Sequence, residues 1–170
     1  MIATINKIIV SGTMGSGKDT VVDYICEKYG HEKLFFAEPI YEIARKYFGM
    51  DGKNRVLLQS IGQKMREIEP NIWVNYTFRQ AKQYNKVAVS DMRQQNEYLV
   101  GINEGFYPIR VVANIDICIQ RLRERDGVEP DVSRFEHEAE KGADKYEMTE
   151  IHNNGTLEEL YEQIDKLMGG

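Results

Sequence analysis

At 170 residues, with 42% hydrophobic and 29% charged side chains and only four prolines, the chain has the composition of a globular domain and not of a disordered segment. A domain of this length buries roughly 70% of the surface its unfolded chain exposes, so no disulfide or structural metal is needed. The net charge of -5, from 27 acidic against 22 basic side chains, argues against broad binding to nucleic acid or an anionic membrane and requires any polyanion site to be local.

The run Lys7-Ile-Ile-Val-Ser11 is β-branched and ends in glycines, the form of a strand buried on both faces of a parallel sheet. From Lys18 to Tyr29, Val21, Val22, Tyr24, Ile25, Cys26 and Tyr29 recur at helical spacing, and Gly30 stands where a helix would stop. Leu34 to Ala37 reads as a second strand, and Pro39 opens a helix through Phe48, closed by Gly49. Residues 53–85 carry no strand signal. Two helical patterns divided near Glu69-Pro70, with Ile72, Trp73, Tyr76 and Phe78 as apolar surface, mark this stretch as a helical insertion. Lys86 to Ser90 reads as a strand, Met92 to Glu104 as a helix, Pro108 to Ala113 as a strand and Ile115 to Arg125 as a helix. Residues 126–146 are polar and charged, a short lid-like region in which Ser133 and Glu136 are spaced as a capping box. Met148 to His152 is the last strand, and Thr156 with Glu159 opens a terminal helix to Met168.

Five short strands alternating with helices imply right-handed crossovers and a three-layer α/β fold, with a parallel sheet covered on both faces and residues 1–170 forming a single domain. Ligands then bind beyond the carboxyl ends of the strands, where the turns after Ser11, Ala37, Ser90 and His152 meet. Cys26 and Cys118 lie in helical apolar patterns and read as reduced, buried hydrophobes, while His31, His137 and His152 show no metal-ligand spacing. No apolar run approaches the roughly 18 residues of a membrane span, and Met1 to Ser11 lacks the pattern of a signal peptide, so a cytoplasmic protein with no membrane partner is expected.

Gly12-Thr13-Met14-Gly15-Ser16-Gly17-Lys18-Asp19-Thr20 has the glycine and lysine spacing of a P-loop, set between a buried strand and a helix. Glycines let the backbone curl so that successive N–H groups face a phosphate, and the helix start adds partial positive charge. Lys18 supplies a mobile cation for the outer phosphate oxygens. Asp19 stands where many P-loops place the hydroxyl that ligates magnesium, and the hydroxyl follows at Thr20. Asp19 therefore either orients a metal-bound water or serves as a favourable anion in the first helical turn.

Beyond the loop, the order of motifs resembles the deoxynucleoside monophosphate kinase family, with a close second resemblance to the animal-type phosphomevalonate kinases. The carrying segments are Ser-Gly-Thr-Met-Gly-Ser-Gly-Lys-Asp-Thr from Ser11, Phe-Ala-Glu-Pro-Ile from Phe36, Leu-Gln-Ser-Ile-Gly from Leu58 with Arg66 and Trp73, Ser-Asp-Met-Arg from Ser90 and Asn-Asn-Gly-Thr-Leu-Glu-Glu-Leu from Asn153. The resemblance implies ATP and Mg2+ as cofactors and transfer of the γ-phosphoryl group to a (deoxy)nucleoside monophosphate. Asp91 would hold the waters of the metal, with Asp19 a second candidate, and Arg93 and Arg66 would grip the acceptor phosphate. Relatives tend to carry Lys where this chain has Tyr41, and Arg45, one turn on, would stand in for it. Arg121 and Arg125 would belong to a closing lid that neutralises the transferring group. Asn154 would present groups to the donor base. Plain structural roles remain open for these side chains: a helix N-cap for Asp91, solvated surface for Arg93 and Arg66, and cations at a helix end for Arg121 and Arg125. The rival functions are a kinase for another phosphorylated metabolite, such as phosphomevalonate or dephospho-coenzyme A, and a nucleotide-gated binding protein without transfer. Small-molecule nucleotides are the expected partners, nucleic acid is not, and a homodimer is left open.

Overall fold

The β-branched runs become strands, and the amphipathic stretches between them become helices, in the computed structural model, which describes residues 4–135 and 142–170. In chain order these are β1 (Lys7–Gly12), α1 (Lys18–Tyr29), β2 (Glu32–Leu34), α2 (Glu38–Phe48), α3 (Arg55–Ile68), α4 (Ile72–Ala81) and β3 (Val87–Val89). They continue as α5 (Gln95–Asn103), β4 (Tyr107–Val112), α6 (Ile115–Asp126), β5 (Thr149–His152) and α7 (Leu157–Met168), with a 3-10 turn at Ala143–Lys145. Among the described residues the five strands form one parallel sheet in the order β2-β3-β1-β4-β5. The central strand β1 follows from its sequence: Ile8, Ile9 and Val10 are all fully buried because each face of the sheet is covered. Ile8 and Val10 pack with α1 and α7 through Val21, Val22, Ile25, Leu160 and Ile164, whereas Ile9 packs with α4 through Val74, Phe78 and Ala81.

The segment between α2 and β3 is helical. Asn54 accepts the N–H of Leu57 at 3.1 Å and caps α3, and α2, α3 and α4 share a separate apolar cluster of Ile40, Ala44, Ile61 and Trp73. The buried indole of Trp73 donates to the carbonyl of Gly62 at 3.2 Å, which ties α4 to α3.

Two boundaries differ from the sequence expectation, and in both a carboxylate takes backbone amides. Strand β2 lies earlier than Leu34–Ala37, because the N–H groups of Phe36 and Ala37 point to Asp91 and not to a neighbouring strand. Helix α5 starts at Gln95 and not at Met92, because the Glu97 carboxylate accepts the N–H groups of Arg93 and Gln94 and closes a capping box there. Ser133 donates to Asp131 through both its N–H and its hydroxyl, and the Glu136 half of the expected capping box lies outside the described residues. Among the described residues no helix is long and apolar enough to cross a membrane.

Candidate active site

Strand β1 delivers the chain to the carboxyl edge of the sheet at Gly12, and α1 starts at Lys18, so residues 13–17 must turn within a short span. Three glycines are dictated by close neighbours, and a Cβ on Gly12, whose φ is 151°, would stand 2.6 Å from the carbonyl oxygen of Val111. A Cβ on Gly15, whose φ is 75°, would stand 2.6 Å from the carbonyl oxygen of Cys118 on α6. A Cβ on Gly17, φ 99°, would overlap the side-chain amide of Asn153 at the end of β5. The loop is thus backed by α6 on one side and by the turn after β5 on the other.

Lys18 folds over the loop, its Nζ donating to the carbonyls of Gly12 at 2.6 Å and Thr13 at 3.3 Å. Inside the loop the N–H of Ser16 donates to Thr13 at 3.2 Å, and the fully buried Ser16 hydroxyl has no hydrogen-bond partner among the described residues. Asp19 is exposed at the loop mouth, 3.3 Å from Lys33, which also pairs with Asp23 at 2.8 Å. Thr20 is half-buried in the first turn of α1.

Across the cleft, the turn after β3 carries Asp91 and Arg93. The Asp91 carboxylate accepts the N–H of Phe36 at 2.8 Å and of Ala37 at 3.0 Å, which fixes the start of α2 to the end of β3. Burial raises its pKa above the usual carboxylate range, against the pull of those two amides and of Arg93. Glu97, missed in the sequence, is buried just behind and accepts the N–H groups of Arg93 at 2.6 Å and Gln94 at 2.8 Å. Burial pushes its pKa up to about 7, opposed by those two N–H groups, raised further by the charge of Asp91 and lowered by that of Arg66. The charge of Arg93 thus acts on Asp91, and those of Asp91 and Arg66 act on Glu97, with Arg93 exposed and Arg66 half-buried on α3. A signal for Glu97 existed in the spacing from Gln94, but Gln is not among the residues that usually announce an N-cap.

The remaining expected residues are dispersed. Arg45 stays on the α2 surface, 3.4 Å from Glu38 and with its guanidinium 5.3 Å from the ring centre of Tyr41. Arg125 is exposed and paired with Asp126 through two bonds of 2.8 and 3.0 Å, with the charge of Asp19 near enough to act on it. Arg121 lies against the loop, donating to the carbonyls of Gly15, Ser16 and Asn153. Asn154 accepts the backbone N–H of Asn114 at 2.7 Å, joining the turn after β5 to the start of α6, while its neighbour Asn153 donates to Ser16. Met14 packs against the cluster of Cys118, Leu122 and Phe135.

No group of three or more His, Cys, Asp or Glu side chains among the described residues could hold a metal ion. Magnesium keeps most of its waters and takes one or two carboxylates together with phosphate oxygens, a donor set that the carboxylates of Asp91 and Asp19 fit. The Asp91 carboxylate is held in place by the amides of Phe36 and Ala37, and Asp19 is exposed in the first turn of α1.

A family model described as an AAA domain (AAA_18) matches residues 8–154. Among curated proteins, the uncharacterized protein ORF76 of Ictalurid herpesvirus 1 (strain Auburn) is 34% identical over 76 residues, which cover 43% of this chain and 32% of that protein. The uncharacterized protein ORF77 of the same virus is 26% identical over 163 residues, covering 93% of this chain and 68% of that one. The chain thus spans about a third of the first relative and about two thirds of the second. The fold is that of a gluconokinase from Sinorhizobium meliloti 1021, with a TM-score of 0.62 at 14% identity over 98% of this chain and 95% of that one. It is equally like a shikimate kinase from Bacteroides thetaiotaomicron, with a TM-score of 0.62 at 20% identity over 95% of each.

Proposed function

Because the chain belongs to the AAA domain family, whose model spans residues 8–154, we propose that it is an ATP-dependent kinase that phosphorylates a small metabolite carrying a phosphate, a (deoxy)nucleoside monophosphate. What supports this reading is the placement of cations at one edge of the sheet: Lys18 in the loop after β1, and Arg93 in the turn after the adjacent β3, with Arg66 on α3 near enough for its charge to act on Glu97. An uncharged acceptor would have no need of the second, whereas a carboxylate or a phosphate on the acceptor would use it. The folds shared with a gluconokinase and a shikimate kinase support phosphoryl transfer, the two arginines support an anionic group on the acceptor, and the motif order that resembles deoxynucleoside monophosphate kinases favours a phosphate.

In this reading the loop N–H groups and Lys18 hold the β- and γ-phosphates of ATP, and Arg93 and Arg66 hold the acceptor phosphate in line with the γ-phosphorus. Asp91 and Asp19 would orient the waters of magnesium, which when bound neutralises charge between the phosphates. The β–γ bridging P–O bond breaks as a bond forms from the acceptor oxygen to the γ-phosphorus, and ADP leaves with the electron pair. The acceptor oxygen is already ionised near neutral pH, so position and charge neutralisation matter more than a strong base. Coupled ADP release over a panel of nucleoside and deoxynucleoside monophosphates, phosphomevalonate and dephospho-coenzyme A tests the reading. Transfer to at least one nucleotide with a clear base preference is expected, and Lys18→Ala should abolish it while leaving the fold intact. Activity confined to a non-nucleotide acceptor refutes the nucleotide part, and ATP binding without transfer to any acceptor refutes the kinase.

A further inference from the structure

The sequence suggested that Arg121 belongs to a lid, yet its guanidinium is spent on backbone. From α6 its Nη1 donates to the carbonyls of Gly15 at 3.2 Å and Ser16 at 3.3 Å, and its Nη2 to the carbonyl of Asn153 at 2.8 Å. Asn153 is itself buried and completes the link, its side-chain amide donating to the same Ser16 carbonyl at 2.8 Å while its backbone N–H donates to Val112 of β4 at 2.7 Å. One turn before Arg121, Cys118 lies directly under Gly15.

We propose that Arg121 and Asn153 form a clasp that presets the phosphate loop from behind, making Arg121 a positioning residue that never touches the nucleotide; this rests on the reading of the loop as the ATP site. The reason lies in the geometry of the trans peptide, in which C=O and N–H point in opposite directions. Holding the Ser16 carbonyl outward with two donors turns the Gly17 N–H to the inner side of the loop. Holding the Gly15 carbonyl keeps a second oxygen from facing an anion. The glycines that make the curl possible also leave it free to collapse, because each can rotate its peptide planes at little cost. A guanidinium, with several donors in a rigid plane, can hold three carbonyls at once, whereas an ammonium on a flexible stem is less able to do so. The clasp also joins the loop to the turn after β5, so the two sides of the donor site are set together.

The test uses inorganic tripolyphosphate with magnesium as a probe that has phosphates and no base, alongside ATP, with affinities measured by titration calorimetry on the full chain. Arg121→Met should weaken both ligands in parallel, by roughly tenfold or more, and leave the acceptor KM unchanged. Arg121→Lys should fall between parent and Arg121→Met. Asn153→Ala, which keeps the arginine and removes one strap, should give a smaller parallel loss and serves if Arg121→Met does not fold. Loss of ATP affinity with unchanged tripolyphosphate affinity would mean that Arg121 meets the base and would overturn the clasp. A fall in kcat with both affinities unchanged would place Arg121 on the transferring group and would also overturn it. A parent that binds tripolyphosphate but transfers to no acceptor sinks the kinase reading alone, and parallel losses in the variants would still support the clasp.

Discussion

Replacing Glu97 by Gln should stabilise the protein at alkaline pH while leaving it nearly unchanged at acid pH. Burial moves the Glu97 pKa from its ordinary 4.5 up to about 7, despite the N–H groups of Arg93 and Gln94 and the charge of Arg66, with Asp91 pushing the same way as burial. The folded state therefore holds a proton on Glu97 that the unfolded chain has already released. The stabilising contribution is complete below about pH 4.5 and is lost as pH rises to about 7. At about 1.4 kcal/mol for each pH unit between those values, the loss approaches about 3 kcal/mol, an upper figure because water can relax around a buried acid. Gln keeps an oxygen for the two amides, and its NH2 faces a neighbourhood that includes Asp91, so the cap should survive. Urea unfolding at about pH 5 and about pH 8 measures this: the parent should lose stability between them by more than the variant does. Parallel profiles for parent and Glu97→Gln would show that Glu97 stays ionised throughout and would refute the reasoning.

On the acceptor side, Arg93→Lys keeps the charge and loses the planar fork, so the acceptor KM should rise ~10-fold or more while the ATP KM moves little; equal rises would point to a general structural role. On the donor side, Gly17→Ala should cost on the order of 1–3 kcal/mol from its positive φ, together with further loss from overlap with Asn153. Adding Asn153→Ala should recover the second part in thermal unfolding and not the first; full recovery would mean that φ is not the constraint.

What the sequence made legible was local. The P-loop is readable because its curl depends on glycines close together in the chain and its charge on the next residue. The strands are readable because a parallel sheet covered on both faces demands unbroken apolar runs such as Ile8-Ile9-Val10. The start of α7 is readable because its capping box, Thr156 with Glu159, is complete within one turn. What was misread depends on partners far along the chain. Phe36 and Ala37 look like strand, yet their amides are claimed by Asp91, 55 and 54 residues away. The carbonyls that Arg121 meets, more than a hundred residues earlier at Gly15 and Ser16, likewise leave no trace in side-chain pattern.

The two halves of the site are held by opposite means, and this bears on which side chains a sequence can assign to ligands. On the proposed donor side the ligand groups would be backbone N–H, and the side chains of Arg121 and Asn153 hold a loop carbonyl away from them. On the proposed acceptor side the ligand groups would be guanidiniums, and the turn around them is fixed by acceptors: the carboxylates of Asp91 and Glu97 take the amides of Phe36, Ala37, Arg93 and Gln94. In this reading the anions behind the acceptor turn oppose the sign expected from the phosphate they serve, whereas the cation behind the donor loop has the expected sign and is still engaged by backbone carbonyls. Burying Asp91 and Glu97 raises both pKa values, a cost that an apolar core would avoid. Its return is orientation. Residue charge alone therefore cannot separate groups that meet a ligand from groups that hold the chain, and the backbone atoms each side chain engages can.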